Sequence, residues 1–441
     1  MRLIFCLIIL LLFVGCQEKP LEITIGEPIS EVSDKYLSVA IDMAQVIGED
    51  WWNPNASTVL GIADDYDLEP FNFENGKLIG LSKELSPAYL RISGTKADNI
   101  CYFCEDSKFT KERFDKIVNF SQQSGFELMF GLNAKDWNSG NAQELMDYAN
   151  SSISIYEFGN EPNGYVMQGH KVNGEQYAED FKEAEQLVPK LAGPGDAFFP
   201  IVGELFGITK DFLKNHNPKI ISWHYYPQQS ERCFIRIRKA DDLLSYRKLD
   251  EVKKHANKLI KLRDKYSPKA EIWMTETGNA QCGGQPGISD TFSSSLWWAD
   301  HLGLLATLDH QVVVRQTLAG SDYGLLDDNF DPNPDYYLSV LWKKLMGTTV
   351  LKVSSNDKKV RSYAHCKDGK ITLLLINLDD SFKETNFSGE LYALTSDSLN
   401  SKKVFLNGEL INEIQPAFRD KVVLDPLSIN FIVLEDSGVC S

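Results

Sequence analysis

Short runs of β-branched and aromatic residues alternate with longer amphipathic stretches along most of the chain. The strand-like runs are 37–42, 89–93, 127–133, 155–161, 190–195, 220–226, 271–276 and 312–317. Apolar residues recur with helical spacing in 108–123, 142–150, 174–189, 249–266 and 293–309. Strands that alternate with helices form parallel sheets. Eight of them predict a (β/α)8 TIM barrel over residues 35–347, with 190–195 as the weakest strand.

After residue 347 the pattern changes, because strand-like runs follow one another without a helical stretch. The runs are 350–355, 360–366, 371–378, 390–396, 403–408 and 428–435. This series predicts a small antiparallel β-sandwich over residues 348–441. The segment 21–29 is also strand-like, and we expect residues 17–34 to join the sandwich. No Pro/Gly/Ser-rich linker separates the two parts, so we expect them to pack as one unit.

The first residues predict a targeting segment. Arg2 precedes an apolar run over residues 3–14, which is too short to span a membrane and typical of a signal peptide. The run ends at Gly15 and Cys16, which resemble the lipobox of bacterial lipoproteins, where the cysteine is lipidated. We therefore expect residues 1–16 to act as a signal and Cys16 to carry a lipid anchor at the cell envelope. An ordinary cleaved signal, followed by secretion, is the alternative.

The net charge and the length of the apolar stretches limit the possible binding partners. The formal net charge is -17, which makes binding to nucleic acid unfavourable. No later apolar stretch is long enough to cross a bilayer, so we expect membrane contact only through the lipid anchor of a monomer.

The remaining cysteines of an exported chain predict disulfides. They are Cys101, Cys104, Cys233, Cys282, Cys366 and Cys440.

Two glutamates carry the strongest chemical signal. Glu161 follows the fourth predicted strand within the run Gly159-Asn160-Glu161-Pro162, and Glu276 ends the seventh strand. These strands face each other across a barrel whose C-terminal rim holds the active site. Glycoside hydrolysis needs one carboxylic acid to protonate the leaving oxygen and one carboxylate to attack the anomeric carbon. We therefore assign Glu161 as general acid/base and Glu276 as nucleophile, with solvated rim residues as the alternative.

Several motifs resemble those of the heparanase-like enzymes of glycoside hydrolase family 79. They occupy residues 85–96, 157–163, 289–292 and 329–336, and the resemblance runs from about residue 27 to Cys440. It implies a retaining endo-β-glucuronidase with a barrel and a side β-sandwich, acting on an acidic polysaccharide such as heparan sulfate or hyaluronan. It implies no metal ion and no organic cofactor. An exo-acting β-glucuronidase and a catalytically silent carbohydrate-binding surface lipoprotein are the alternatives.

The resemblance also implies a subsite for the uronic acid. Its side chains are Asp42, Thr95, Asn160, Gln316 and Tyr323, and backbone N–H groups around Cys282 and Gly283 bind the carboxylate. Cys366 and Cys440 match family cysteines that pair with each other. From the residues themselves, Tyr226 and its neighbour His224 end the sixth predicted strand. They are candidates for contact with nucleophile or substrate, and packing of the barrel top is the equal alternative.

Two departures from the family bear on the substrate. Gln281 and Cys282 stand where the family has an aromatic residue followed by glycines. The basic segments with which the family binds sulfated chains are missing from this sequence. The best local basic candidates, Arg232, Arg236 and Arg238, lie after the sixth strand, where a solvated loop face is the alternative. Weakly sulfated or unsulfated substrates are therefore favoured. Rim positions predict a Cys233–Cys282 pair, which leaves Cys101 and Cys104 to each other or free.

Overall fold

The fold is described by a computed structural model that covers residues 21–49, 69–234, 236–241, 243–435 and 438–440. The predicted signal segment and Cys16 lie outside these residues.

Within the described residues, strands and helices alternate up to α10 and only strands follow. The strands are β1 (Ile23–Glu31), β2 (Leu37–Asp42), β3 (Ala88–Ser93), β4 (Phe126–Leu132), β5 (Ile153–Phe158), β6 (Leu191–Phe199), β7 (Gly203–Glu204), β8 (Ile220–Tyr225), β9 (Glu271–Thr277), β10 (His310–Arg315), β11 (Thr349–Ser355), β12 (Val360–Lys367), β13 (Lys370–Asn377), β14 (Lys383–Glu384), β15 (Gly389–Thr395), β16 (Phe405–Leu406), β17 (Glu409–Leu410), β18 (Ala417–Arg419), β19 (Val423–Leu424) and β20 (Ser428–Glu435). The α-helices are α1 (Met43–Ile47), α2 (Gly76–Lys83), α3 (Lys111–Ser124), α4 (Ser139–Ala149), α5 (Gly174–Leu187), α6 (Thr209–Asn215), α7 (Tyr246–Leu249), α8 (Glu251–Tyr266), α9 (Phe292–Ala306) and α10 (Pro334–Leu345), and 3-10 helices lie at Thr95–Asn99 and Pro162–Gln168.

Eight of the described strands close into a parallel barrel. Their order is β2, β3, β4, β5, β6, β8, β9 and β10, and β10 pairs with β2 to complete the ring. The predicted (β/α)8 fold is thereby confirmed. The weakest predicted strand is present as β6 and continues to Phe199. The strand expected over 155–161 ends earlier, at Phe158, because the backbone takes positive φ at Gly159 and Glu161 and enters the 3-10 helix.

The barrel interior changes from apolar to charged toward the C-terminal rim. Every barrel strand contributes to one interior apolar cluster, to which Ala40, Tyr89 and Ile155 belong. Successive residues of a strand point to opposite faces, so the next interior position lies two residues further on. Those positions are Asp42, Arg91 and Glu157, all of which are buried. The strands therefore deliver polar side chains to the rim above a packed apolar floor.

Strand β9 carries one residue more than its two neighbours. Met274 pairs with Trp223 of β8, whereas the next pair is Glu276 with His224, so Thr275 has no counterpart on β8. The same offset occurs against β10. Because Trp273 belongs to the interior cluster, a regular strand would turn Glu276 outward. The bulge at Thr275 reverses that direction and points the carboxylate of Glu276 into the barrel mouth.

The C-terminal part is an antiparallel β domain, as predicted, and it includes the N-terminal strand. The sheet order is β1-β11-β12-β13-β20-β15-β16-β17, with β18 on β15 and a separate β14–β19 ribbon. Leu374 and Ile376 face the barrel helices, where they pack with Trp298. Leu373 faces the other way and packs with Leu424 of the ribbon. The central strand β13 is thus buried on both faces.

Buried charges also join the two domains. Arg361 of β12 forms ion pairs with Asp300 of α9 and with Asp250 beside α8. The hydroxyl of Tyr363 donates to Asp300 at 2.6 Å. Since Asp300 is almost completely buried, these contacts compensate the cost of removing its charge from water. The two domains therefore form one packed body.

Disulfides join Cys366 to Cys440, Cys233 to Cys282 and Cys101 to Cys104. The first ties the penultimate residue to β12, and the second joins the two rim loops that follow β8 and β9. None of the described helices combines the length and apolarity that a bilayer crossing requires.

Replacing Cys366 and Cys440 together by serine should destabilise the C-terminal domain. The bonded cysteines are 74 residues apart, and on the chain-entropy model the bridge contributes about 4 kcal/mol. Urea denaturation measures the loss. The matched control is a double serine variant of Cys101 and Cys104, which are 3 residues apart and should contribute only about 2 kcal/mol. Equal losses in the two variants would contradict the prediction.

Candidate active site

Glu161 and Glu276 meet at the C-terminal rim of the barrel. One carboxylate oxygen of each lies within 4.8 Å of the other and of a ring nitrogen of His224. Glu276 is almost completely buried and Glu161 is partly exposed. Both groups can therefore reach the same bond of a sugar in the barrel mouth, and Glu161 lies on the more open side.

Glu161 is held in a turn between β5 and the 3-10 helix that begins at Pro162. Its backbone is left-handed, with φ of 51° and ψ of 56°, a conformation that costs a non-glycine residue energy. Buried partners fix the turn. The N–H of Asn160 donates to Asp98 at 3.0 Å, and the amide of Asn163 exchanges hydrogen bonds with the backbone of Ala197 on β6. The position of Glu161 is therefore set from both sides.

Burial raises the pKa of the Asp98 carboxyl to about 7, although hydrogen bonds from Tyr165, Asn160 and Ala134 lower it. The buried carboxyl of Asp98 thus accepts from the Asn160 N–H in the turn that carries Glu161. Its contact is to backbone and not to the cleft, so it positions Glu161 through the chain.

Both carboxylate oxygens of Glu276 accept hydrogen bonds. Arg91 Nη1 donates to Oε2 at 2.9 Å, and the Tyr226 hydroxyl donates to Oε1 at 2.7 Å. Burial raises the pKa of Glu276, but the positive charge of His224 in its protonated form, the charge of Arg91 and the two hydrogen bonds outweigh it, so the pKa is lowered. Burial and the negative charge of Glu276 keep the pKa of Tyr226 well above its usual value, so the phenol keeps its proton. Glu276 is therefore ionised and oriented.

Arg91 links Glu276 to the turn that carries Glu161. It is fully buried; its Nε donates to Glu157 at 2.7 Å and its Nη2 donates to Asn160 Oδ1 at 2.9 Å. Burial would lower the pKa of Arg91, but the charges of Glu157 and Glu276 raise it overall, so the guanidinium remains charged. One side chain thereby orients Glu276 and the asparagine that precedes Glu161.

The contacts of His224 define its tautomer. Its Nε2 lies 3.3 Å from Arg91 Nη2, and its Nδ1 lies 3.1 Å from Glu161 Oε1. Because a guanidinium can only donate, we assign Nε2 as the acceptor and place the proton on Nδ1. Nδ1 then donates to Oε1 of Glu161, which leaves the other oxygen of Glu161 to carry the proton for the leaving group.

A second group of predicted residues lies beside Glu276. Gln316 Nε2 donates to Asp42 Oδ2 at 3.4 Å, while Gln316 Oε1 is buried without a partner among the described residues. Tyr323 stacks near Tyr226 and is hydrogen-bonded by Gln316 and by the backbone of Gly283. Asp42, Gln316 and Tyr323 thus form a hydrogen-bonded group on the Glu276 side of the cleft.

Gly94 allows the backbone before Thr95 to approach Asp42. Its φ is +107°, and a Cβ at this position would lie 2.2 Å from Asp42 Oδ2. Any larger residue would displace the Asp42 carboxylate from Gln316. Thr95 itself follows on the cleft wall, where it lines a cavity together with Asn160, Glu161 and Cys282.

The loop at Cys282 and Gly283 is held by its carbonyl groups. Ser230 donates to the Cys282 carbonyl at 3.0 Å, and Ser321 donates to the Gly283 carbonyl at 2.8 Å. Arg232 adds a contact to Gly283 and pairs with Asp322. Cys282 and Gly283 both have positive φ. The backbone N–H of Gly283 donates to the Tyr323 hydroxyl, so the loop and Tyr323 form one hydrogen-bonded unit beside the cleft.

The structure brings the predicted catalytic and substrate-binding residues within the described chain to the barrel rim, whereas Cys366 and Cys440 lie in the C-terminal domain. Sequence reasoning missed Arg91 and Glu157 as site residues and Asp98 as a support. The first two carry a signal that could have found them, since each lies two residues after an interior apolar residue of its strand. Of the predicted basic candidates, Arg232 pairs with Asp322 and Arg238 with Glu251.

Glu161, His224 and Glu276 also have the residue types and spacing of a metal site. However, both oxygens of Glu276 already accept hydrogen bonds, one of them from the cationic Arg91 at 2.9 Å. A metal ion would have to displace these donors and lie beside a fixed positive charge. The grouping is better explained by proton transfer and hydrogen bonding.

Tyr226→Phe should move the acid limb of the pH–activity profile to higher pH. The phenol is one of the causes that lower the pKa of Glu276, so its removal lets that pKa rise. Since the attacking group must be ionised, activity is then lost at a less acidic pH as the pH falls. The kcat/KM profile measures the shift, and Tyr225→Phe, whose hydroxyl makes no bond to Glu276, is the control. An unmoved acid limb would contradict the assignment.

A closed β/α barrel with two facing carboxylates at its rim is the architecture of a glycoside hydrolase, and comparison with known proteins agrees. The model of the "Glycosyl hydrolase family 79, N-terminal domain" matches residues 93–303. Heparanase of Rattus norvegicus is 30% identical over 87% of this chain and 84% of its own. Baicalin-beta-D-glucuronidase of Scutellaria baicalensis is 29% identical over 87% of this chain and 84% of its own. This chain therefore belongs to glycoside hydrolase family 79, and it is a glycoside hydrolase that acts on glucuronide linkages.

Among solved structures, the GH51 arabinofuranosidase from Xanthomonas axonopodis pv. citri superposes with a TM-score of 0.68 and 14% identity. The match covers 94% of this chain and 100% of that chain. It shows that the barrel and its β domain are a shared architecture. The resemblance inferred from sequence motifs is thus confirmed at the level of family and fold.

Proposed function

We propose that the enzyme is a retaining endo-β-glucuronidase of uronic-acid-containing polysaccharides, with Glu161 as general acid/base and Glu276 as nucleophile. The observation that carries the proposal is the separation of the two carboxylates, whose facing oxygens lie within 4.8 Å. Carboxyl groups about 5–5.5 Å apart leave no room for a water between carboxylate and sugar, whereas inverting enzymes need roughly 6.5–9.5 Å.

The geometry supports a two-step reaction. Ionised Glu276 attacks the anomeric carbon and forms a glycosyl ester, while Glu161 transfers its proton to the departing oxygen. Glu161, now a carboxylate, then takes a proton from water as that water attacks the anomeric carbon and releases Glu276. Asn160, oriented by Arg91, retains its NH2 group for the 2-hydroxyl of the sugar. The N–H groups around Gly283, with Tyr323, bind the uronate.

The stereochemistry of the first product tests this mechanism. In proton NMR of β-glucuronide hydrolysis, the β-anomer of the released glucuronic-acid end should appear before mutarotation produces the α-anomer. Early appearance of the α-anomer would show inversion and overturn the nucleophile role of Glu276.

The length of the products distinguishes the endo from the exo alternative. On unsulfated polysaccharides of glucuronic acid and N-acetylhexosamine, an endo enzyme shortens the chains early and releases oligosaccharides. Release of free glucuronic acid with little change in chain length would instead establish exo action. A silent binding protein would give neither product; the presence of both oriented carboxylates argues against it.

We also propose that Cys16 anchors the enzyme, as a monomer, to the cell envelope, on the sequence pattern before that residue. A Cys16→Ser form should then fail to partition with membranes. Unchanged partitioning would refute lipidation at Cys16, and light scattering of the released form tests the monomer.

A further inference from the structure

A cavity of about 320 Å³ opens next to Glu161. Its wall includes Glu161, Asn160 and Thr95, but neither Glu276 nor Tyr226, which donates to Glu276. The acid/base group hands its proton to the leaving oxygen, so the leaving group must lie against Glu161 on the side away from the nucleophile. The cavity therefore occupies the position of the leaving group.

The walls of this cavity are largely apolar. Phe206 is 72% exposed, Met167 70% and Phe234 63%, and all three line the cavity together with Phe199 and Ile237. Single exposed apolar residues are common, but several around one concave site next to a catalytic group indicate a binding surface.

Several contacts hold the backbone of the loops that carry Phe206 and Phe234. The carbonyl of Leu205, next to Phe206, accepts from Asn163 at 2.9 Å, so the loop is tied to the acid/base turn. Buried Asp196 accepts from the N–H groups of Ile208 and Thr209, both at 3.0 Å, which fixes the far end of the loop. On the other wall, Phe234 follows Cys233, which is bonded to Cys282. The apolar surface is thus a built part of the cleft.

The described residues of the cavity wall offer no cation for an anionic leaving group. Among them only Glu161 is ionisable, and none is Lys, Arg or His. Of the nearby arginines, Arg232 and Arg238 are paired with Asp322 and Glu251, and the exposed Arg236 is not among the residues that line the cavity. The ammonium group of Lys135 donates to Gln168, which lines the cavity, but Lys135 itself is not a lining residue. A sulfate group placed here would lose its hydration without gaining a positive partner.

We propose that this cavity is the leaving-group subsite and that it selects uncharged groups with an apolar face. The proposal rests on the proposed glucuronidase function. Two kinds of substrate share this chemistry: an unsulfated N-acetylhexosamine unit of a polysaccharide, whose sugar face stacks on Phe206 or Phe234, and the aryl aglycone of a small glucuronide. A sulfated hexosamine is excluded by the same chemistry.

Substrates that differ only in the leaving group test the selectivity. They are glucuronic acid β-linked to N-acetylglucosamine, the same disaccharide with a 6-sulfate, and benzyl and methyl β-glucuronide, whose two alcohols are similarly acidic and so leave equally well. We expect kcat/KM for the unsulfated disaccharide to exceed that for the sulfated one, or kcat/KM for the benzyl glucuronide to exceed that for the methyl glucuronide, or both, by about tenfold or more. Preference between the unsulfated disaccharide and the benzyl glucuronide tells whether the natural source is polysaccharide or small glucuronide.

Variants locate the selectivity in the cavity. Phe206→Ser and Phe234→Ser should each lower kcat/KM for the preferred substrate by roughly two- to tenfold, the value of an aromatic contact. The matched control is Phe418→Ser, which removes an equally exposed phenylalanine (66%) from the C-terminal domain. Phe206→Lys should raise the kcat/KM of the sulfated disaccharide relative to the unsulfated one.

Hydrolysis of β-glucuronyl fluoride separates the two proposals, because fluoride is too small to use the cavity. The fluoride should be cleaved equally by wild type and by both serine variants. Equal use of sulfated and unsulfated leaving groups, or serine variants that behave like the Phe418 control, would overturn the cavity proposal alone. Failure to cleave any glucuronide, fluoride included, would overturn the proposed function and the subsite with it.

Discussion

Glu276→Gln is expected to abolish turnover of every β-glucuronide, whereas Glu161→Gln is expected to stop the reaction after its first step when the leaving group is good. Without Glu276 no attacking carboxylate remains. Without Glu161, an aryl leaving group that needs little protonation still departs, but no base activates water to hydrolyse the glycosyl ester. Each group should supply at least about a hundredfold in rate.

Pre-steady-state kinetics and mass spectrometry distinguish the two variants. Glu161→Gln with a nitrophenyl glucuronide should release about one equivalent of nitrophenol in a burst and leave a glucuronyl adduct on the peptide that contains Glu276. Glu276→Gln should give neither burst nor adduct. Unchanged melting temperatures serve as the control for folding. More than about a hundredth of wild-type turnover in either variant, or an adduct elsewhere, would contradict the assignments.

Arg91→Met should damage both stability and activity more than any other single change away from the two glutamates. Its side chain is buried between Glu157 and Glu276, and removing one partner of a buried ion pair costs about 3–5 kcal/mol because a charge is left uncompensated. Activity should fall as well, since the guanidinium orients Glu276, Asn160 and His224. Urea denaturation measures the first effect, and kcat on a phenyl glucuronide measures the second.

A second variant separates the two roles of Arg91. Arg91→Met combined with Glu157→Gln removes one of the two buried carboxylates that lose their cation, while Glu276 remains, so we expect part of the stability to return while activity stays low. The matched control is Lys77→Met, which breaks the exposed pair with Asp331 and should cost less than about 1 kcal/mol. Full recovery of activity in the double variant would show that Arg91 serves only to neutralise Glu157.

The barrel could be predicted from sequence because its signals are local. Each strand is a short apolar run followed by an amphipathic helix, and even the weak run at 190–195 is present as β6. The two glutamates could be found because the motif around Glu161 lies just after one strand and Glu276 ends another. Their convergence follows from the barrel itself.

Other parts of the site depend on features that a pattern does not contain. Simple alternation along β9 would turn Glu276 away from the interior, and the bulge at Thr275 appears only in the pairing with β8 and β10. The role of Arg91 depends on partners from three other strands and from the turn after β5. The apolar cavity is built from loops such as the one at Phe206, whose backbone has positive φ, and loop geometry is not periodic.

Strand β1 has a consequence for the order in which the chain can fold. Its partner β11 begins at Thr349, and the pairing runs from Ile23 with Ser355 to Glu31 with Thr349. A ribosome that adds about 5–20 residues per second makes β1 on the order of tens of seconds before that partner exists. The barrel strands can assemble in the meantime, whereas β1 must wait with its backbone hydrogen-bonding groups unpaired. The domain that is completed last therefore contains the first strand to be synthesised, and a nascent chain stalled within the barrel still carries an open strand edge able to pair with another chain.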